Sequence, residues 1–233
     1  MTIRRIVTSR SGGVSTGPYA SFNLGDHVGD DPAAVAANRR RLADAAGLAP
    51  DHVLWMEQIH GATVQVVDGP RTGPVEATDG LVSATPGIAV AVLVADCVPV
   101  LLADPAHGVV AAVHAGRVGA AAGVIPRAVE AFRSAGGDPA TSDVLLGPAI
   151  CGACYEVPAE LQASVEAALP GSASTTRRGT PGLDLRAGLA RQLAGLGVER
   201  IVTDPRCTAE DPDLYSHRRD GTTGRQAGVA WVE

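Results

Sequence analysis

Three side chains of this sequence have the chemistry to hold a metal ion, and each stands beside an apolar run. His60 lies in Gln58-Ile59-His60-Gly61, just ahead of the segment 63–67. Cys97 closes Ala95-Asp96-Cys97, directly after the run IAVAVLVA. His114 opens His114-Ala115-Gly116 at the end of another apolar run. Imidazole and thiolate suit zinc, and three protein ligands leave a fourth position for water or substrate. The three are far apart in the chain, so spacing alone describes a buried thiol and two hydrogen-bonded histidines equally well. Asp96, next to Cys97, is placed to orient a ligand or to carry a proton.

Other residues offer different chemistry. Cys151-Gly-Ala-Cys154 is a CxxC, which serves as a redox dithiol or as half of a zinc site. No second CxxC completes a zinc ribbon, and the His-x-Glu of the nucleobase deaminases is missing. Cys151 and Cys154 are therefore expected to be thiols of a loop near a pocket wall, with neither stable zinc nor a redox role. Ser216-His217-Arg218-Arg219-Asp220, with Arg225 close behind, concentrates positive charge near the C-terminus. Guanidinium forks match phosphate or carboxylate oxygens. Arg39, Arg218, Arg219 and Arg225 are the candidates for an anion site, although Asp220 can occupy either Arg218 or Arg219. The glycine-rich loop SRSGGVSTG lacks the spacing of a nucleotide P-loop.

The chain that must position these groups has 233 residues, 45% of them hydrophobic and 3% aromatic. A sizeable core of Val, Leu, Ile and Ala can form, which excludes a wholly disordered chain. A net charge of −6 argues against a general nucleic-acid binder. All 19 basic residues are arginine, so lysine-based Schiff-base, general-base and P-loop chemistry is excluded. The N-terminus has no apolar signal core, and no apolar run approaches the ~20 residues of a bilayer span. A cytoplasmic protein without a membrane partner is expected, and its cysteines are expected to be thiols or metal ligands.

Helices are expected at 32–46, capped by Asp31 and stopped by Gly47, and at 119–135, 158–169 and 185–196. Strands are expected at 3–8, 63–67, 80–83, 88–95, 98–103, 109–113, 143–146 and 200–203. The runs 88–95, 98–103 and 109–113 are continuously apolar, as strands buried on both faces are. Such strands with helices outside make a layered α/β domain.

The motifs, in their order, carry a resemblance. The opening SRSGGVSTGPYASFNLGDHVGDDPAAVAANRRRL is similar to that of the YfiH-type family. This family was long labelled multicopper polyphenol oxidase (laccase), and its members are described as purine nucleoside phosphorylases. WMEQIHG, TDGLV, VADCVPVLLAD, AAVHAG, GPAICGACYEVP, LDL, CT and YSHRRDGTTGR follow in the family's order and span nearly the whole chain. The resemblance implies an α+β fold over residues 1–233, one domain with α/β/β/α layering, its mixed sheets sandwiched between helices. It implies zinc, rather than copper, on His60, Cys97 and His114, while His217 is not counted as a ligand. One departure stands out. The family usually reads HAGWRG, whereas this chain has His114-Ala115-Gly116-Arg117-Val118-Gly119.

The implied activity is phosphorolysis of purine nucleosides, with adenosine deaminase and methylthioadenosine phosphorylase side activities. The implied partners are small molecules: a purine nucleoside and phosphate. The alternatives are a peptidoglycan-precursor editing hydrolase, a copper polyphenol oxidase and a non-enzymatic nucleotide-binding module.

Overall fold

The computed structural model describes Met1–Glu233. Its strands are β1 (Ile3–Val7), β2 (Val53–Leu54), β3 (Val64–Val66), β4 (Gly80–Ser83), β5 (Ala89–Val94), β6 (Val98–Asp104), β7 (Val109–Ala115), β8 (Asp143–Leu146), β9 (Ala173–Thr175), β10 (Pro181–Leu183), β11 (Arg200–Thr203) and β12 (Gln226–Val232). Its helices are α1 (Pro32–Ala46), α2 (Arg117–Ala121), α3 (Val124–Ser134), α4 (Ala159–Ala168), α5 (Leu185–Gly195) and the short α6 (His217–Asp220). No helix is long and apolar enough to cross a membrane.

The strands form a four-stranded sheet in the order β1-β12-β5-β2, a six-stranded mixed sheet β11-β8-β6-β7-β4-β3, and the hairpin β9-β10. Alternation along the buried strands explains the layering. On β5, Ala89, Ala91 and Leu93 meet Leu42 and Ala43 of α1. Val90, Val92 and Val94 of the same strand face the second sheet, against Leu101, Val110 and Ala112. On the far side of that sheet, Val100, Leu102, Ala111 and Val113 meet residues of α3, α4 and α5, Phe132, Val165 and Leu189 among them. Three cores thus separate four layers, α1, sheet, sheet, helices, which is the α+β α/β/β/α arrangement the resemblance implied. The apolar runs are continuous because both faces of each strand are covered.

The first helix starts and ends as expected. Asp31 accepts a hydrogen bond from the Ala33 N–H at 2.9 Å, and Gly47 stops the helix at φ 71°. The expected helix at 119–135 is instead two, because Gly123 at φ 85° ends α2 and begins α3. The seven-residue strand β12 escaped the sequence reading. It is wholly buried, and pairs with both β1 and β5. Its small residues Ala227, Gly228 and Ala230 dilute the apolar signal. The glycine-rich opening loop is fastened to α1 by Asn38, which is 1% exposed. Its Nδ2 donates to Ser15, Ser21 and Asn23, and its Oδ1 accepts from the Val14 N–H. That loop is therefore a structural clasp. Arg40 and Arg41, beside it on α1, are exposed, and Arg41 donates to the Gly12 carbonyl of the same loop.

Candidate metal centre and anion cleft

β5 belongs to one sheet and β6 to the other, so Ala95-Asp96-Cys97 is the step by which the chain passes between sheets. The step is tight, and Asp96 takes a left-handed φ of 93°. A non-glycine residue pays about 1–3 kcal/mol for such a backbone and keeps it only where its surroundings hold it. Both Asp96 oxygens are so held. Oδ1 accepts from Thr208 Oγ1 at 2.6 Å and Ser216 Oγ at 2.7 Å, and Oδ2 accepts from the Arg218 N–H at 2.6 Å. Asp96, expected to orient a ligand or to carry a proton, is thus a carboxylate that accepts three hydrogen bonds and ties α6 and the 208 turn to the sheet crossing.

His114 lies within β7, not after a strand ending at 113, and shares the inter-sheet face with Val110 and Ala112. His60 comes from the loop between β2 and β3 and adopts φ 59°. The ligand atoms of His60, Cys97 and His114 lie within 4.8 Å of one another, with Cys97 Sγ 4.0 Å from His60 Nε2. The tertiary fold therefore assembles the donor set that spacing alone left ambiguous. Gly116 leaves room for this closeness: a Cβ there would stand 3.0 Å from both Cys97 Sγ and His60 Cδ2 and would press on them.

A residue without an assigned role, Asp79, builds the loop that presents His60. Its fully buried carboxylate accepts from the N–H groups of Ile59 (3.3 Å), His60 (3.0 Å) and Gly61 (2.7 Å). It also accepts from His114 Nδ1 at 2.8 Å, and its backbone carbonyl accepts from the His114 N–H at 2.7 Å. This bond leaves Nε2 of His114 for a metal, and a carboxylate behind a ligating imidazole raises its basicity. Burial works against the Asp79 charge, but His114 and the Gly61 N–H outweigh it and lower its pKa. The donors, their spacing and the supporting carboxylate fit a tetrahedral ion with one open position.

The electrostatics are those of an ion pair. Burial would raise the Cys97 thiol, but the neighbouring His114 charge, with hydrogen bonds from both histidines, brings it down to about 6. Burial would lower His114, but the Cys97 thiolate and Asp79 raise it to about 9. Between these values the metal-free site holds a thiolate beside a protonated His114. A metal must then displace the His114 proton. At pH 7.5 zinc binding should release about one proton from this pair, and affinity should rise about tenfold per pH unit until His114 deprotonates near 9. Calorimetric titration in buffers of different ionisation enthalpy reads that proton. A pH-independent affinity between pH 7 and 8.5 would contradict the pair as described.

The donor set opens into a cleft of about 370 Å³. Arg218 and Arg225 line it, as does Arg117, and none of the three pairs with a carboxylate. Arg218 donates to the Glu156 carbonyl at 2.9 Å and lies 4.9 Å over the Tyr155 ring. Arg225 is held by the carbonyls of Thr223 and Gly224, both at 3.0 Å. Burial lowers its pKa, with the charges of Cys97 and Asp96 opposing. Two of the expected anion ligands are elsewhere. Arg219 is committed to Asp220 and to the carbonyls of Thr208, Asp211 and Leu214. Arg39 pairs with Asp26 at 3.2 Å, donates to the Leu24 carbonyl and covers the Trp55 ring. Arg117, shifted by one from the family's usual Arg, supplies a cation in their place at the start of α2.

Cys151 and Cys154 are free thiols, as expected, but one ground for reading them as metal-free does not hold. The missing ligand pair exists: Cys207 and Glu210 stand against Cys151 and Cys154, all four ligand atoms within 4.8 Å of one another. The signal was Cys207-Thr-Ala-Glu210, a C-x-x-E at the same spacing, separated by more than fifty residues from its complement.

A layered α+β fold with a His-Cys-His set of candidate metal donors at its sheet crossing, opening into an arginine-lined cleft, defines the class. Residues 4–233 match the family described as multi-copper polyphenol oxidoreductase laccase, and the chain belongs to that family. It is 60% identical to the Mycobacterium tuberculosis purine nucleoside phosphorylase Rv2149c, covering 99% of this chain and 92% of that one. It is 59% identical to the Corynebacterium glutamicum purine nucleoside phosphorylase Cgl2154/cg2365, covering 99% and 94%. Among solved structures, YlmD from Geobacillus stearothermophilus superposes with a TM-score of 0.93 at 35% identity, covering 99% and 92%.

Proposed function

We propose that the chain is a zinc-dependent purine nucleoside phosphorylase. It would convert adenosine, inosine or guanosine and phosphate to free base and ribose 1-phosphate. The observation that carries the reading is the convergence in one cleft of the His60–Cys97–His114 donors with three arginines free of carboxylate partners. The reaction class comes from the names of the relatives. Residues 1–233 act as one domain in the cytoplasm under this reading.

In phosphorolysis a phosphate oxygen forms a bond to C1′ of the ribose. The bond from C1′ to the purine nitrogen breaks, and the base leaves with the electron pair and takes up a proton. Arg218, which is exposed, and the half-buried Arg225 and Arg117 provide the forks for the phosphate oxygens, with charge-assisted hydrogen bonds to each. A pocket of this size suits a nucleoside. Zinc on His60, Cys97 and His114 would supply Lewis acidity to the base or to a water. The same centre makes adenosine deaminase and S-methyl-5′-thioadenosine phosphorylase activities part of the proposal. Zinc is preferred to copper because a multicopper oxidase needs several histidine-rich sites. Here His52 bonds the Gly87 carbonyl and His107 bonds Asp104, both away from the donor set.

Incubation with adenosine and phosphate separates the readings in one chromatogram. Adenine with ribose 1-phosphate reports phosphorolysis, inosine reports deamination, and hypoxanthine reports both steps. Binding without turnover would make the chain a nucleotide-binding module, and phenol oxidation by a copper-loaded protein would restore the oxidase reading. Release of a residue from a wrongly built muramyl precursor would favour the editing hydrolase. Arg218→Ala and Arg225→Ala should each raise the KM for phosphate about tenfold or more, with metal content unchanged. Arg219→Ala should lower stability while leaving that KM near the wild-type value. The reverse pattern would move the phosphate site onto Arg219.

A further inference from the structure

We propose that Cys151, Cys154, Cys207 and Glu210 form a second, structural zinc site, closed by its own four protein ligands. Two short turns make it. In the first, the N–H groups of Cys154 and Tyr155 both donate to the Cys151 carbonyl at 2.9 Å, which brings the sulfurs of residues three apart to one side. In the second, the N–H groups of Glu210 and Asp211 donate to the Cys207 carbonyl at 3.0 and 2.8 Å, doing the same for a thiol and a carboxylate. The turns are registered against each other by a bridge between Ala149 and Cys207. The result is four ligand atoms within 4.8 Å of one another, and none of the three cysteines is in a disulfide. Tetrahedral coordination at ~2.3 Å puts sulfurs about 3.8 Å apart, so a small contraction closes the site.

Burial and the neighbouring cysteines push Cys154 up to about 12, and burial raises Cys207 as well, so a metal has to displace their protons. The Cys151 N–H points at Cys207 Sγ at 3.3 Å, an interaction that favours an ionised sulfur. Three thiolates and a carboxylate around Zn²⁺ leave a net charge of −2, and Arg177, paired with Glu210, offsets part of it. The loop ahead of Cys207 is already fixed: the 6% exposed Arg186 of α5 donates to the carbonyls of Asp204 and Arg206. With no open position, this site would hold structure instead of substrate. What it would hold is specific. Thr208, next to Cys207, is one of the donors on Asp96, and Ile150, next to Cys151, lines the cleft. The second ion would fasten the two turns that position the catalytic cleft. Binding exchanges thiol protons for the metal and involves no redox change.

The test uses the full chain carrying Cys97→Ala, which disables the first donor set and leaves the cluster intact. The reduced, metal-stripped protein is titrated anaerobically with Co²⁺ and then Zn²⁺. One equivalent of cobalt should bind with a thiolate charge-transfer band of three sulfurs, and zinc should displace it. Cys207→Ser should abolish that band. Arg177→Ala, which leaves every ligand in place, should weaken affinity on the order of 10-fold. Absence of a thiolate–cobalt band in the Cys97→Ala protein overturns the proposal. So does a Cys151–Cys154 disulfide that forms in preference to zinc uptake under mild reducing conditions. The wild-type chain should bind two equivalents. If it binds one, the Cys97→Ala protein shows which: retention means that the cluster stands and the first centre fails, and loss means the opposite.

Discussion

Asp79→Asn is expected to lower metal affinity at the His60–Cys97–His114 centre by about 10- to 100-fold and to destabilise the metal-free fold by about 3 kcal/mol. Three backbone N–H groups and one imidazole N–H converge on that buried carboxylate. An asparagine keeps the shape but turns one acceptor into a donor. That donor then faces either the Ile59 and Gly61 amides or the His60 amide and His114. At least one buried donor loses its partner, and the loop that presents His60 in its left-handed conformation loses its anchor. The substitution also removes the negative charge that helps raise His114 to about 9. Its pKa should fall, so the residual zinc binding should lose its proton dependence at a lower pH than in the wild type. Chelator competition at several pH values, with denaturant unfolding of the metal-free protein, measures both effects. Wild-type affinity in this variant would reduce Asp79 to a bystander.

Asp96 is expected to show the complementary pattern, lost activity with the metal retained. Asp96→Gly is the informative change, because glycine adopts φ 93° without strain and the backbone step between sheets survives. What goes is the carboxylate that fastens Thr208, Ser216 and the Arg218 N–H. Arg218 and its neighbours then lose their register against the metal centre. A displacement of about 1 Å in a positioned group costs on the order of 10²-fold in rate, and that is the expected fall in kcat/KM. Zinc content should stay near wild type, since none of the three donors is touched. The pH–rate profile distinguishes a positioning role from proton transfer. A positioning carboxylate lowers the amplitude and leaves the profile's shape. A proton carrier would remove a limb of it.

Much of the frame could be read directly from residue order. The runs from 88 to 115 are apolar on both faces, so they had to be covered on both faces. Asp31, Pro32 and Gly47 mark the ends of α1 through local backbone chemistry that needs no distant partner. The family motifs carried His60, Cys97 and His114 and the layering with them.

Long-range placement is where residue order fell short, because a side chain's partner depends on which strand becomes its neighbour. Neighbouring β5 and β6 went to different sheets, and that split makes the step at Asp96 a hub. Asp79 precedes an ordinary buried strand, and nothing local announces that three loop amides and an imidazole will meet it. Arg218 and Arg219 are adjacent and chemically identical. Only the carbonyls and Asp220 around one of them decide that it holds the fold while the other faces the cleft. Cys151 and Cys154 seemed to lack partners because their complement, Cys207 and Glu210, arrives through a bridge between distant segments. Local propensities follow from covalent neighbours, and the sequence carries them openly. A site of convergent charges and thiols follows from packing, because desolvation and geometry act on groups that only the folded chain brings within hydrogen-bond or ligand distance.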